Sequence, residues 1–245
     1  MNDTLQLLQT HRSVRSYADT PVDEAALAQI IETGRRSPSS FNAQHLSVVV
    51  VRAAAARTRI AELAGGQPWI ARAPVFIVVA ADAGKTAAGV AAAGAAQQAH
   101  RSAELVVACS IDAGIALGAM MAAARAQGLA VVPVGGIRRN PRAMIDLLGL
   151  PPLTFPLCGM CVGHAAADAP LKPRLPTQAF RHDERYDADA VRAAIPAYDQ
   201  AMLRHWRDVG RPDGASWSAT LAEHYSRDYF PGVGQALREQ GFEME

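Results

Sequence analysis

The chain has 245 residues, of which 50% are hydrophobic, 24 are basic and 23 are acidic, giving a formal net charge of +1. This balance excludes a strong overall field for nucleic acid or membrane surfaces, so any anion site must be local. Three cysteines do not make a secreted disulfide framework, and the polar start Met1-Asn2-Asp3 does not resemble a signal peptide, so we expect a cytoplasmic protein.

The first predicted element is a short helix over residues 3 to 10, with Leu5 and Leu8 facing inward. It leads into a basic cluster at residues 11–15, which read His-Arg-Ser-Val-Arg. Guanidiniums offer a rigid fork of donors that suits phosphates and electron-rich ring edges, and serine adds a short donor. Alone, the cluster is equally consistent with solvated surface charge.

A second helix is predicted after Asp23, which serves as its N-cap, because apolar residues and Gly34 then recur at helical spacing. Residues 37–44, with sequence Ser-Pro-Ser-Ser-Phe-Asn-Ala-Gln, form a loop rich in side-chain donors and acceptors. Serine and asparagine also favour turns for local reasons. A ligand-binding role and a simple connection are therefore both open at this point.

Two nearly unbroken apolar runs, Leu46 to Val51 and Pro74 to Ala81, predict strands covered on both faces. A helix around residues 57–63 lies between them, and the glycines at 65 and 66 permit a tight turn that presents Gln67. Residues 83–100 are rich in alanine and glycine, and a helix, a mobile flap or both are consistent with them.

The longest periodic segment runs from Glu104 to Gln127 and is apolar on almost every side. Ser110 and Asp112 lie well inside it, and its alanine and glycine content is high, so a buried central helix fits better than a membrane span. Small residues at Gly114 and Gly118 would allow close helix approach. They predict a symmetric dimer axis at this helix.

A short strand from Ala130 to Val134 runs into Gly135-Gly136, where missing side chains would admit a ligand close to the backbone or make a plain turn. Asn140 then caps a helix, and a further strand follows from Phe155 to Val162. The later sequence holds a second basic cluster, Lys172-Pro173-Arg174, in which proline fixes the backbone between two cations. Together the two basic clusters indicate a phosphorylated ligand.

The rest of the chain is predicted to be helical, with a polar break at residues 210–216. We interpret residues 165–245 as an extension wrapped over the core of a single domain that spans residues 1–245. Cys158 and Cys161 have redox-motif spacing, but in an extended strand their Cα atoms would be roughly 10 Å apart, beyond disulfide reach. No dinucleotide fingerprint, hydrolase nucleophile motif or close metal-ligand pair is evident, so we expect no metal.

Five motifs of this chain occur in the order and approximate spacing of the nitroreductase superfamily. They are residues 11–17, the 39–44 loop, Gly65-Gly66-Gln67, Gly135-Gly136 and residues 171–176. The chain most resembles the branch of oxygen-insensitive NADPH nitroreductases and NADPH:FMN oxidoreductases. That resemblance implies an α+β fold with a central, mostly antiparallel sheet flanked by helices. It also implies a homodimer whose long central helix lies at the interface, with FMN at each of two shared sites.

The resemblance also implies roles for individual residues. His11, Arg12, Ser13, Lys172 and Arg174 would hold the FMN phosphate and ribityl chain, and Arg15 would lie near the N1/O2 edge of the ring as electrostatic support. The partner subunit would contribute Ser39, Ser40, Asn42 and Gln44, while Gln67 would meet the polar edge of the ring. Pro133, Val134, Gly135 and Gly136 would lie along the isoalloxazine. No acid–base residue is expected, because the cofactor supplies the chemistry.

The implied reaction is hydride transfer from NADPH to FMN, followed by transfer of two electrons to a nitroaromatic, a quinone or a similar acceptor. Two alternatives remain open: a dedicated flavin reductase that supplies free reduced FMN, and a flavin-binding or sensing protein without turnover. Relatives carry Thr-Arg-Gly where this chain has Asp208-Val209-Gly210, so the arginine expected to meet the NADPH 2′-phosphate is valine. Arg211 and Arg207 are the candidates to replace it.

Overall fold

The computed structural model describes residues 2–244, which contain a sheet of four strands and ten α-helices. The strands are β1 Leu46–Val51, β2 Val75–Asp82, β3 Ala130–Val134 and β4 Thr154–Gly163. The helices are α1 Asp3–Gln9, α2 Glu24–Arg35, α3 Ala54–Leu63, α4 Pro68–Arg72, α5 Ala83–Ala92, α6 Ala103–Ala126, α7 Pro141–Leu148, α8 Ala188–Asp208, α9 Trp217–Tyr225 and α10 Gly232–Glu239.

The strands lie in the order β1-β2-β4-β3, and every neighbouring pair is antiparallel. This arrangement confirms the predicted α+β class with an antiparallel central sheet. Strand β2 is central and buried along almost its whole length, as its unbroken apolar run predicts. The expectation of two covered faces is wrong for β1, because this edge strand is only half-buried and Val48 is exposed.

Helices cover both faces of the sheet. On one face, α2 and α6 pack against alternate residues of β2, including Val75, Ile77 and Val79. On the other face, Phe76 and Val78 pack against residues of α3, α4 and α7. The alternation follows from the strand period of two, which sends successive side chains to opposite faces. A third cluster at one end of the sheet includes residues of α10.

Helix α6 begins and ends within one residue of its predicted bounds and is capped by the Ser102 hydroxyl. It is long and apolar enough to cross a membrane by length and composition, yet one face packs on α2 and the sheet. Its other face is exposed within the single chain, with Val107, Ile111 and Ile115 in a row. We call these three residues, together with Gly114 and Gly118, the α6 stripe.

The close approach of α2 to α6 depends on a glycine of α2. A Cβ atom built at Gly34 would lie 2.7 Å from Cγ of Met120, so no other residue fits there without displacing that side chain. Asp23 caps α2 through the Ala26 amide, and Asn140 caps α7 through the Ala143 amide, as predicted.

Two local expectations needed revision or completion. The prediction that Leu5 and Leu8 face inward is wrong, since both are about half exposed, whereas Leu7 is the leucine of α1 that is partly covered. Helix α1 makes few contacts with α6. Because it has only seven residues, its apolar positions are too few to predict which of its faces is buried.

Residues 83–100 are helical as far as Ala92, and the rest is a loop that ends in a 3-10 turn.

The chain divides into two compact units. One comprises the residues up to Ala169 together with those from Phe230 onward, and the other is Pro170–Tyr229. The second unit starts with irregular, proline-containing chain and a 3-10 turn, and its helices α8 and α9 flank the predicted polar break. The tail after Phe230 belongs to the first unit, where α10 contacts α7.

The tight packing of β4 on β2 yields a stability prediction. A methyl group at Gly159 would overlap the Phe76 ring, so Gly159→Ala should lower the free energy of unfolding by about 2 kcal/mol through overpacking. Gly89→Ala in α5 is the control, because open space surrounds that position and the change should raise stability by roughly 0.5–1 kcal/mol. Urea unfolding of the two variants measures both values, and equal stability would contradict the packing argument.

Candidate functional site

The basic cluster of residues 11–15 runs beside the sheet and is fixed there by backbone hydrogen bonds. The Val14 amide donates to the Val131 carbonyl at 3.1 Å, and the Ala166 amide donates to the Ser16 carbonyl at 3.0 Å. Tyr17 pairs with Ala165 in an isolated bridge and donates its hydroxyl to the Val14 carbonyl at 2.8 Å. The cluster is therefore held beside β3 and the chain that leaves β4.

Arg15 lies over the indole ring of Trp69. The guanidinium carbon is 5.3 Å from the ring centroid, which is cation–π distance, and the arginine side chain stays solvent-exposed. Trp69 belongs to α4 and follows Gln67 by two residues. The turn before α4 uses Gly65 and Gly66 at φ +91° and +76°, values that favour glycine.

Gln67 packs directly against Gly136. Its side-chain amide donates to the Ala64 carbonyl at 2.9 Å, and a Cβ atom at Gly136 would overlap that amide and lie 2.7 Å from the Ala64 oxygen. Gly136 belongs to a 3-10 turn that starts at Gly135 directly after β3, where Val134 is buried and Pro133 partly exposed. Gly136 thus has a packing role that the sequence left open.

We call Arg15, Gln67, Trp69, Gly135 and Gly136 the ring-edge cluster. They bring a cation, an amide and two glycines together near the end of β3. Arg12 is elsewhere: its guanidinium donates to the Thr10 carbonyl at 3.4 Å and lies near Arg125 of α6. His11 and Ser13, the residues on either side of Arg12, are partly exposed.

The serine loop, residues 39–44, is stabilised by a hydrogen bond within the loop and by a contact with α6. The Gln44 amide donates to the Ser39 hydroxyl at 3.2 Å, and the backbone adopts positive φ at Phe41, Asn42 and Gln44. Positive φ is uncommon for such residues and marks a conformation that the surroundings impose. The Phe41 side chain is fully exposed.

A buried carboxylate of α6 holds this loop. Asp112 accepts the Ser40 amide at 3.0 Å and lies 2.7 Å from Nε2 of His45, and both side chains of the Asp112–His45 pair are almost completely buried. A carboxylate in an apolar interior is costly unless donors satisfy it. Sequence reasoning used Asp112 only against a membrane span and missed His45, although a carboxylate inside an apolar helix is itself a signal of a buried polar contact.

The second compact unit contains a cluster of cations around Trp206. Lys172 Nζ lies 5.2 Å and Arg211 Cζ 4.8 Å from the centroid of the Trp206 ring. The Arg211 amide donates to the Trp206 carbonyl at 2.7 Å, and the indole N–H donates to the Ala215 carbonyl at 2.9 Å. Gly214 packs against the same ring so closely that a Cβ would overlap it.

The segment from Trp206 to Ala215, which we call the Trp206 loop, therefore holds Arg211 in place. Arg207 is exposed near the end of α8, and Val209 is the C-cap residue of that helix.

Arg174 donates to the Lys172 carbonyl at 3.2 Å, and Tyr198 donates to the Pro173 carbonyl at 3.0 Å, so the second basic cluster is anchored to α8. Sequence reasoning missed Trp206, because Lys172 is far from it in the sequence and its other partners follow it at irregular spacing in a loop.

The cysteines are free thiols. Cys158 and Cys161 both lie in β4, as expected, and burial raises the pKa of both, that of Cys161 to about 12. Such thiols stay protonated at neutral pH, so they lack thiolate reactivity. Among residues 2–244, no group of three or more His, Cys, Asp or Glu side chains is placed to hold a metal ion.

The antiparallel sheet, the ring-edge cluster and the serine loop lie in a chain that two family models match. The model of the nitroreductase family matches residues 8–164, and that of the family's C-terminal domain matches residues 172–245. The chain belongs to the nitroreductase family. Among its relatives is an FMN reductase (NAD(P)H) of Bacillus subtilis, 40% identical over 254 residues and 100% of both chains. An oxygen-insensitive NADPH nitroreductase of Salmonella typhimurium is 31% identical over 99% of both chains.

Solved structures agree with this assignment. Bacillus megaterium NfrA2 superposes with a TM-score of 0.97 at 36% identity, covering 100% of both chains. The NADPH:FMN oxidoreductase of Vibrio harveyi, solved in complex with NAD+, has a TM-score of 0.90 at 27% identity, also over 100% of both chains.

The Asp112–His45 pair leads to a prediction about the serine loop. Asp112→Ala should leave the Ser40 amide and the His45 ring without a buried acceptor and cost roughly 1–3 kcal/mol of stability. Amide exchange at Ser40 should then become faster, as measured by hydrogen–deuterium exchange.

Asp112→Asn keeps an acceptor oxygen and should restore part of the protection. Ser110→Ala is the control, because that exposed hydroxyl bonds only to Val106 of its own helix. If residues 39–45 of Asp112→Ala exchange as slowly as those of the Ser110 variant, Asp112 does not hold the loop.

Proposed function

We propose that the protein is an FMN-dependent NAD(P)H oxidoreductase that passes two electrons from NADPH through bound FMN to acceptors such as nitroaromatics or quinones. The observation that carries this proposal is the ring-edge cluster, in which Arg15, Gln67 and Gly136 are fixed beside the sheet of a nitroreductase-family chain. Relatives named FMN reductase and NADPH nitroreductase support it.

The donor set of the first unit fits FMN. An imidazole, a hydroxyl and a guanidinium from His11, Ser13 and Arg15 are donors for a phosphate, a ribityl chain and an electron-rich ring edge. Gly135 and Gly136 leave backbone exposed where a flat ring needs close approach. The assignment of Lys172 and Arg174 to the phosphate stays a prediction. We leave Arg12 out of this set because it lies beside Arg125.

When bound, FMN supplies the hydride-accepting and hydride-donating chemistry. Arg15 would contribute a positive charge beside the ring edge that gains electron density on reduction, and its contact with Trp69 would hold that charge in position. The Gly135 and Gly136 amides would serve as donors for the ring, and Pro133 and Val134 would contribute to its binding. None of these residues needs to transfer a proton, so the protein contributes binding, orientation and electrostatics.

A homodimer is part of this proposal. The α6 stripe is an exposed apolar row with helical spacing, and nothing lies within 4 Å of a Cβ built at Gly114 or Gly118. A second copy of the chain would cover this surface. The fully exposed Phe41 and the serine loop would then reach the partner's flavin through Ser39, Ser40, Asn42 and Gln44. A cytoplasmic location without membrane association remains a prediction.

A dedicated flavin reductase is the second candidate, favoured by the name of the 40% identical relative. A flavin-binding protein without turnover is the candidate from another class.

Purified protein should be yellow with one FMN per chain, and anaerobic NADPH should bleach its absorbance. A colourless protein that takes up no FMN on reconstitution would contradict the proposal. Steady-state NADPH oxidation with a quinone, a nitroaromatic or free FMN as the acceptor then distinguishes an enzyme from a flavin-binding protein without turnover.

The Trp206 loop makes Arg211 the cation for the NADPH 2′-phosphate in this proposal. Its guanidinium stacks on the indole and its amide is bonded to the Trp206 carbonyl, so little mobility would be lost on binding a phosphate. Arg207 lacks such a platform and is the weaker candidate.

Arg211→Ala should therefore narrow the kcat/KM ratio of NADPH over NADH on the order of tenfold or more, because a hydrogen bond to a charged group is worth about 1.5–3 kcal/mol. Arg207→Ala is the matched comparison and should leave the ratio within about twofold, as expected for a side chain that makes no phosphate contact. Steady-state kinetics with both donors measure the effect. An unchanged ratio in Arg211→Ala would remove this residue from donor recognition.

A further inference from the structure

A cavity of about 300 Å³ lies in the first unit, between α1, the end of α6 and the start of β3. Its lining includes Leu7, Arg12, Arg125, Gly128, Val131 and Asp168. The ring-edge cluster does not line it. The cavity is larger than a single water needs and combines apolar walls with two guanidiniums.

The two guanidiniums meet at one threonine. Arg12 donates to the Thr10 carbonyl at 3.4 Å, and Arg125 donates to the Thr10 hydroxyl at 3.3 Å. Within residues 2–244, neither arginine has a carboxylate at salt-bridge distance, and Asp168 lines the cavity without pairing to them. The pKa of Arg125 is lowered by burial and, secondarily, by the positive charge of Arg12.

Two neighbouring like charges repel one another, and the partial burial of Arg125 weakens the screening by water on its side of the pair, while Arg12 is exposed. Arginine carries five N–H donors, and the bonds to Thr10 use one donor from each side chain. The remaining donors of both guanidiniums suit a ligand with several anionic oxygens, which would also remove the repulsion. Phosphate groups have that chemistry, and the apolar walls leave room for a small organic substituent.

We propose that this cavity is a second anion site, separate from the flavin site, which binds a phosphate group between Arg12 and Arg125. The segment from His11 to Tyr17 explains the separation. Extended chain directs successive side chains to opposite sides, so Arg12 faces Arg125 while Arg15 lies over Trp69. The ligand is either free phosphate or a small phosphomonoester.

Titration calorimetry of the FMN-loaded protein with inorganic phosphate, against chloride at equal ionic strength, tests the proposal. Phosphate should bind, and Arg125→Glu should weaken its binding on the order of tenfold or more by placing a carboxylate beside Arg12. The same variant should have a higher Tm than the parent in phosphate-free buffer, because attraction replaces repulsion. Arg238→Glu makes the same charge change at an exposed position of α10 and should alter neither result.

Phenyl phosphate distinguishes the two ligand sources: tighter binding than that of inorganic phosphate indicates a phosphomonoester, and equal binding indicates free phosphate. If Arg125→Glu does not fold, Arg125→Gln gives the same comparison of phosphate affinity. The proposal is overturned if the parent protein binds no phosphate or if the Arg125 variants bind it as well as the parent does. It is also overturned if those variants lose FMN, because the cavity would then belong to the flavin site.

Discussion

The buried carboxylate of Asp112 is the contact on which the order of the serine loop depends. It lies inside an apolar helix, where an unpaired charge would be untenable, and it is satisfied by the Ser40 amide and the His45 ring. Helix α6 presents Asp112 on one face and the α6 stripe on the other. One rigid element thus connects the loop proposed to reach a flavin with the surface proposed to form the dimer.

Much of the fold was predictable because local patterns determine it. The apolar run of β1 gave its bounds without error, and α6 was predicted within one residue, since each segment has one strong periodicity and clear flanking signals. Caps at Asp23 and Asn140 were read correctly because a capping side chain bonds an amide only three residues away. The motifs of the family were enough to place the class of the protein.

The features that sequence reasoning missed or misjudged depend on contacts between distant residues. His45 and Asp112 are 67 positions apart, and nothing local announces their hydrogen bond. The exposure of β1 follows from its place at the sheet edge, and that of Leu5 from the rotation of a short helix against α6. The proximity of Arg12 to Arg125 is likewise set by the fold, and the assignment of Arg12 to the FMN site stays a prediction. In each case the topology of the fold determines which residues are neighbours and which are exposed, and local sequence composition does not.

The Trp206 loop has a consequence for how such proteins diversify. Its shape is set by its own ring, which bonds Ala215, accommodates Gly214 and stacks with Arg211. A loop that folds on an internal anchor tolerates replacement of the residues around that anchor, because the backbone path does not rely on them. On the proposed role of Arg211 at the NADPH 2′-phosphate, single substitutions at positions such as 207, 209 and 211 would change coenzyme preference. The sheet and its helices need not change, so new donor preferences are accessible to selection at little cost in folding.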